Sequence, residues 1–375
     1  MRPTLGWNRG RSRVLIGALA AATLALATAA PGIVVAGSPK SFLGMLPMQT
    51  QIASTVPGNG DVNPYGMSVV PRSTGALVKG DILISNFNAA SNLQGTGTTI
   101  DQIAPDGTFH LFATVMSSDV MGRCPGGVGL TTALVALRSG WAIVGSLPTA
   151  DGTAATAKAG CLIVLDRWGH VAATIHGGPI NGPWDMTALD RGSMASLFVT
   201  NVLNGTVAAN GKTVDRGTVV RIDLRTSGDE PSVTSETVIG WGFPERTDPA
   251  ALVIGPTGVA LGDHGTLYVA DTLGNRIAAI SDALDRTTAS HKGKTVSMNG
   301  SLNMPLGLAV APNDDILAVN AADGNGVELT PSGHQVVTRM LDAAGGGSLF
   351  GLAVAPGGKG LYFVADDSNT LQLLH

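Results

Sequence analysis

Along residues 46–375 the hydrophobic positions form short runs, alternating with polar residues or wholly apolar. Gly, Pro, Asn and Asp separate the runs. Almost no stretch carries the 3.6-residue period of an amphipathic helix. This pattern predicts strands joined by tight turns. The runs also recur as a unit. Gly258-Val-Ala-Leu leads to Gly265-Thr-Leu-Tyr-Val-Ala-Asp271 and then Asn275-Arg-Ile. Gly307-Leu-Ala-Val-Ala-Pro leads to Asp315-Ile-Leu-Ala-Val-Asn320 and then Val327-Glu-Leu. Gly351-Leu-Ala-Val-Ala-Pro leads to Gly360-Leu-Tyr-Phe-Val-Ala-Asp366 and then Thr370-Leu-Gln-Leu-Leu. Weaker copies occupy residues 66–107, 129–175 and 184–240, giving six units.

Each unit reads as up to four antiparallel strands. One such sheet cannot bury both faces alone, and packing six of them radially solves this. The expected fold is all-β, a six-bladed β-propeller spanning residues 46–375. The G-L-A-V strand of each unit is apolar at nearly every position and belongs nearest the axis. The sixth unit ends at His375 after three strands. Met48-Gln-Thr-Gln-Ile-Ala-Ser-Thr-Val56 is strand-like and has no unit of its own. It is expected to supply the missing outer strand, closing the ring and removing an open edge. Residues 146–159 and 281–300 leave strand boundaries open.

Composition agrees with a turn-rich β-protein. There are 51 Gly and 20 Pro, and 44% of residues are hydrophobic against 13% charged, which excludes a disordered chain. The start of the chain differs. Residues 1–13 are basic, residues 14–30 are apolar without a charge, and Ala27-Thr28-Ala29 gives a small-residue exit. This is the pattern of a secretory signal peptide, residues 1–29, with a second cleavage point after Ala36. Residues 30–45 read as a flexible N-terminal segment. The rival reading is an uncleaved anchor, but the apolar run is short of the roughly 20 residues a spanning helix needs. No other segment is long and apolar enough to span. The mature chain is therefore expected outside the cytoplasm, secreted or periplasmic, and as a monomer.

Cleavage after Ala29 removes four Arg, lowering Lys+Arg from 23 to 19 against 27 Asp+Glu, a net of −8. An acidic surface repels phosphate backbones, so nucleic acid is excluded as a partner. An exported chain with only Cys124 and Cys161 predicts one disulfide between them.

Val269-Ala-Asp-Thr-Leu-Gly-Asn-Arg-Ile277 resembles the core of an NHL repeat, and residues 349–366 resemble a blade of NHL or lactonase-type propellers. The resemblance implies a six-bladed propeller. It does not choose among binding platforms, lactonases and lyases, because such folds host many functions.

In such propellers ligands meet the axial end where loops enter the innermost strands. The residues there are Tyr65, Trp184, Thr257, Leu306 and Phe350. None is a metal ligand or general base of the expected kind. Lactonase-type propellers carry Asn where this chain has Phe350. Amidating-lyase propellers carry His where it has Tyr65, Thr257 and Leu306. The Trp-Phe-Thr-Glu-type motif of streptogramin lyases is missing. An apolar rim suits an uncharged ligand. Asn86, Asn201, Asp271, Asn320 and Asp366 recur at strand ends, with Gly145 breaking the series in the second unit. They read as oxygen ligands for a cation such as Ca²⁺ or as turn residues, and their repetition favours turns. His176, with Asp185 and Glu245 from similar segments, forms a weaker candidate acid–base or metal cluster.

The expected function is a non-catalytic binding module for a protein or a small uncharged ligand, without a cofactor. The alternative is a metal-dependent, lactonase-like hydrolase or lyase using one divalent cation such as Ca²⁺ and acting on a small molecule at the axial mouth.

Overall fold

The structure, a computed structural model, describes residues 40–375. The signal-peptide reading, both cleavage points and residues 30–39 lie outside the described residues. An N-terminal strand β1 (Gln49–Ser54) precedes six sheets. Blade one contains β2 (Val62–Val69), β3 (Ile82–Asn88), β4 (Thr99–Ile103) and β5 (Phe109–Thr114). Blade two contains β6 (Leu130–Ala136), β7 (Ala142–Ser146), β8 (Cys161–Leu165) and β9 (Val171–Ile175). Blade three contains β10 (Pro183–Asp190), β11 (Met194–Asn201), β12 (Val214–Arg225), β13 (Ser232–Asp248) and β14 (Leu252–Ile254). Blade four contains β15 (Pro256–Leu261), β16 (Leu267–Asp271), β17 (Arg276–Ile280) and β18 (Lys294–Met298). Blade five contains β19 (Pro305–Val310), β20 (Ile316–Asn320), β21 (Asn325–Leu329) and β22 (Gln335–Met340). Blade six contains β23 (Leu349–Val354), β24 (Leu361–Ala365) and β25 (Thr370–Leu374).

Every sheet is antiparallel, and the first strands of successive blades contact one another around the axis, with β23 returning to β2. The ring is therefore closed. Its closure uses the expected device: β1 pairs with β25, from Gln49 opposite Leu374 to Ser54 opposite Thr370. The stretch 281–300 contains β18, and within 146–159 Ser146 ends β7 and the rest is a loop with one 3₁₀ turn at Ala154–Thr156.

The recurrent Gly of the G-L-A-V strands has a steric cause. A Cβ at Gly307 would collide with the carbonyl oxygen of Phe350, and one at Gly351 with that of Tyr65. Neighbouring innermost strands approach too closely there for any side chain. Hydroxyls on or just after second strands tie a blade to the first strand of the next. Ser85 Oγ donates to Thr131 O at 2.7 Å, Thr200 Oγ1 to Thr257 O at 2.8 Å, and Thr272 Oγ1 to Pro305 O at 2.7 Å. Between blades the sheets bury apolar faces. Ile143 and Val164 of blade two, for example, pack with Leu197, Val199 and Val220 of blade three.

Residues 41–45, read from sequence as part of a flexible segment, are instead packed, together with Leu46. Phe42, Leu43 and Leu46 are buried with Leu317, Leu341 and Leu374 of blades five and six. The Glu328 carboxylate accepts from Phe42 N and Leu43 N, both at 2.7 Å, and from Ser41 Oγ at 2.8 Å. These apolar side chains lie too far upstream of β1 to show a strand period, so their packing left no sign in the pattern. Cys124 and Cys161 form a disulfide with a Cα–Cα distance of 5.4 Å, joining the loop before β6 to β8. Among the described residues no helix is long and apolar enough to cross a membrane.

Candidate functional site

At the axial end where loops enter the innermost strands lies a cavity of about 710 Å³. Its floor is apolar. Tyr65 and Phe350 stack with ring centroids 3.8 Å apart, Phe87 stacks on Tyr65 at 4.6 Å, and Leu306 lies alongside. Of the rim residues expected from sequence, Tyr65, Leu306 and Phe350 line this cavity. Trp184 packs against Tyr65 at 6.4 Å, and its indole nitrogen donates to Val253 O at 3.2 Å. Thr257 is fully buried in the hydrogen bonds between blades, donating to Leu306 O at 3.2 Å.

The wall is rich in amides and acids: Asn63, Asn88, Gln94, Asp366, Asp367 and Asn369, with Arg246 and Asp248 opposite in sequence on β13. Asp366 directly follows β24, in the turn to β25, and lines the cavity. Burial pushes its carboxyl up to about 7, and the neighbouring Asp367 charge adds to this. In the orientation that satisfies both groups, the Asn63 amide nitrogen donates to Asp366 Oδ2 at 2.8 Å and its oxygen accepts from Asn88 Nδ2 at 3.0 Å. Asn369 Oδ1 accepts from Asn63 N at 2.7 Å, fixing the residue that holds Asp366. Burial and the Asp366 charge also hold the Tyr65 hydroxyl in its neutral form. Asn88 Oδ1 and Gln94 Oε1 are buried with no hydrogen-bond partner in the protein. Asn63 and Met304, both lining the cavity, sit at φ 66° and 56°. For Met304 this left-handed backbone is a local strain, of the kind that clusters at functional sites.

The other strand-end residues stay within their own blades. Asn86 donates to Asp101 Oδ2 at 2.8 Å, and Asn201 accepts from Asn181 N at 3.2 Å. Asp271 pairs with Arg276 at 2.8 Å, and Asn320 donates to Ser301 O at 2.8 Å. Each serves a turn or a strand neighbour. Among the described residues no three His, Cys, Asp or Glu side chains gather about a possible metal position. The candidate cluster His176, Asp185 and Glu245 is likewise dispersed. His176 is exposed, Glu245 is buried and accepts from Asn204 N at 3.0 Å, and Asp185 accepts from Val259 N at 3.0 Å. Asp185 lines the axial channel, a separate cavity of about 370 Å³ formed by all six innermost strands. Burial raises both carboxyls, each to about 7.

Sequence reasoning missed Asn63, Asn88, Gln94, Arg246 and Asn369. Asn in a turn next to a strand reads as turn chemistry. Arg246 lies on the far end of β13, whose extension into a hairpin with β14 carries no repeat signature.

No family model matches the chain, and no curated protein matches it in sequence. Solved structures do share its fold. The PQQ-bound aldose sugar dehydrogenase of Streptomyces coelicolor is 15% identical, with a TM-score of 0.53 over 87% of this chain and 98% of that one. A gluconolactonase of Xanthomonas campestris is 13% identical, with a TM-score of 0.51 over 84% and 86%. A catalytically inactive virginiamycin B lyase of Staphylococcus aureus, with quinupristin, is 16% identical, with a TM-score of 0.50 over 88% and 85%. At these identities the likeness establishes the propeller architecture.

Proposed function

We propose that the protein is an exported propeller enzyme, a lactonase-like hydrolase or a lyase, acting on a small, neutral, hydroxyl-bearing molecule in the mouth cavity. The observation that carries this reading is Asp366: a buried carboxyl raised to about 7, held by Asn63, on the wall of a ligand-sized cavity. Perturbed carboxyls in clefts mark acid–base sites. The neighbours of like fold named above include a gluconolactonase, a sugar dehydrogenase and a lyase, which favours catalysis over passive binding. The disulfide supports an oxidising compartment.

The chemistry follows from a carboxyl that is half ionised near neutral pH. As carboxylate, Asp366 takes a proton from water while the water oxygen bonds to the ester or lactone carbonyl carbon. The tetrahedral adduct collapses with cleavage of the C–O bond, and protonated Asp366 returns its proton to the leaving alkoxide. In a lyase the same carboxylate takes the proton from carbon, the C–H electron pair becomes the new C=C bond as the neighbouring C–O bond breaks, and protonated Asp366 returns its proton to the departing oxygen. The unpartnered Asn88 Oδ1 and Gln94 Oε1 accept substrate hydroxyls. The apolar floor of Tyr65, Phe350 and Leu306 covers the opposite face of the ligand.

The test is hydrolysis of a panel of sugar lactones and esters by the full chain. The active form is the carboxylate, so kcat/KM should rise with pH, with an apparent pKa near 7, and then level off. Asp366→Asn should lower kcat/KM by about 100-fold or more while the fold melts as before. Retention of full activity by that variant would remove Asp366 from the mechanism. The second reading is a binding module without catalysis, favoured by the apolar floor. It would show as saturable ligand binding with no turnover in any member of the panel.

A further inference from the structure

We propose a second binding site, for a saccharide, on the face of the propeller opposite the mouth cavity. The strand order of a blade places its second-to-third connection at the mouth; Asn88 and Gln94 come from one such loop. The first-to-second and third-to-fourth turns therefore lie at the other end. Four of these turns, two from blade two and two from blade three, enclose a groove of about 520 Å³. They are the turns at Ser139–Gly140, Asp166–Trp168, Gly192–Ser193 and Thr226–Asp229.

Three features make this groove a site rather than a gap between turns. Trp168 stands at the tip of the β8–β9 turn and is 58% exposed, an unusual place for the largest apolar side chain. The turn that presents it is fixed: Asp166 Oδ1 accepts from Trp168 N at 2.8 Å and from His170 N at 3.0 Å. A second indole, Trp141, also lines the groove, anchored by its nitrogen donating to Thr226 O at 3.2 Å. Finally, Ser139 Oγ is buried beside it with no hydrogen-bond partner in the protein. Leaving such a group unmet is costly, so a ligand hydroxyl that reaches it gains more than one meeting a solvated partner.

The lining selects the ligand class. A pyranose ring has an apolar C–H face and a rim of hydroxyls. Trp168 offers an aromatic plane for the first. Ser139, Ser193, Asp229 and Arg167 offer donors and acceptors for the second. The groove lies within the size range of small-ligand pockets, roughly 300–1,000 Å³. A docked protein would instead cover about 800 Å² on each partner, far beyond these four turns. The groove shares no residue with the mouth cavity, so it stands independently of the Asp366 reading.

The experiment titrates the full chain with chitotetraose, cellotetraose and maltotetraose, read by tryptophan fluorescence and calorimetry. At least one should bind and shift the emission. Trp168→Ala, which removes an exposed side chain, should weaken that binding by about tenfold or more at unchanged Tm. Ser139→Ala should weaken it severalfold while Tm holds or rises, a combination that general damage to the fold would not produce. Asp366→Asn should leave it unchanged. Failure of all three sugars to bind, or equal affinity in Trp168→Ala and the wild type, would overturn the proposal.

Discussion

Single residues carry an unusual burden of buried acid in this propeller. Asp101 lies on β4 with no exposed surface; its Oδ1 has no partner and its Oδ2 accepts only from Asn86. Burial pushes this carboxyl up to about 8, the Asn86 hydrogen bond works against that, and the Asp61 charge adds to it. Asp185, Glu245 and Asp366 are raised by burial to about 7 each. The consequence for stability has a definite sign. Between the ordinary carboxylate range, about 4, and these raised values, the folded chain holds protons that the unfolded chain has released. Stability is therefore fullest below that window and falls as pH rises through it. Asp101→Asn should remove part of this loss. Thermal melts should show the variant gaining several degrees over the wild type at about pH 9 and little at about pH 4. An equal shift at both pH values would mean that Asp101 is not protonated in the fold. Asp366 lines the mouth cavity and Asp185 the axial channel, whereas Asp101 and Glu245 line neither.

At the scale of elements, blade two departs most from the repeat. Its first strand lacks the G-L-A-V pattern, and a long loop, residues 147–160, separates β7 from β8. The disulfide sits in this blade, holding the loop before β6 to the start of β8 across 37 residues. Constraint of a loop of that length in the unfolded chain is worth about 4 kcal/mol on a chain-entropy account. A Cys124→Ser, Cys161→Ser double variant should lose about that much stability in denaturant melts, as should the reduced wild type. A loss confined to a few tenths would show that the loop is held by packing alone. The same contrast explains what the sequence made legible. Strands that repeat, such as β15, β19 and β23, show their Gly and apolar runs because ring geometry demands them in each copy. The β13–β14 hairpin occurs once, in blade three, and nothing in a repeat could announce it. Yet it supplies Arg246 and Asp248 to the mouth cavity. The cavity wall also draws Asn63 and Asn88 from blade one and Asp366 and Asn369 from blade six, more than 270 residues apart in the chain. Their convergence follows from ring closure, not from any spacing along the chain.

For the whole molecule, closure depends on one strand. β1 completes blade six by pairing with β25, and its neighbour segment carries Phe42, Leu43 and Leu46 into the core of blades five and six. The tie is reinforced from both sides. Glu328 accepts from the backbone nitrogens of Phe42 and Leu43, and Arg339 donates to the carbonyls of Leu46 and Pro47. Without this segment β25 would present an unpaired edge, and an exposed edge strand templates pairing with another chain. The mouth would suffer as well, because Asp366 and Asn369 lie on the turn that leads into β25, and Asn369 fixes Asn63. Removing residues 1–54 should therefore broaden or split the melting transition, lower Tm, and produce dimers or larger species on size-exclusion chromatography. Removing residues 1–39 leaves every described contact in place and should leave both readouts unchanged. That pair of truncations separates ring closure from mere shortening. If the longer truncation stayed monomeric with a single transition at the wild-type Tm, blade six would be stable with three strands, and β1 would be an accessory rather than the clasp.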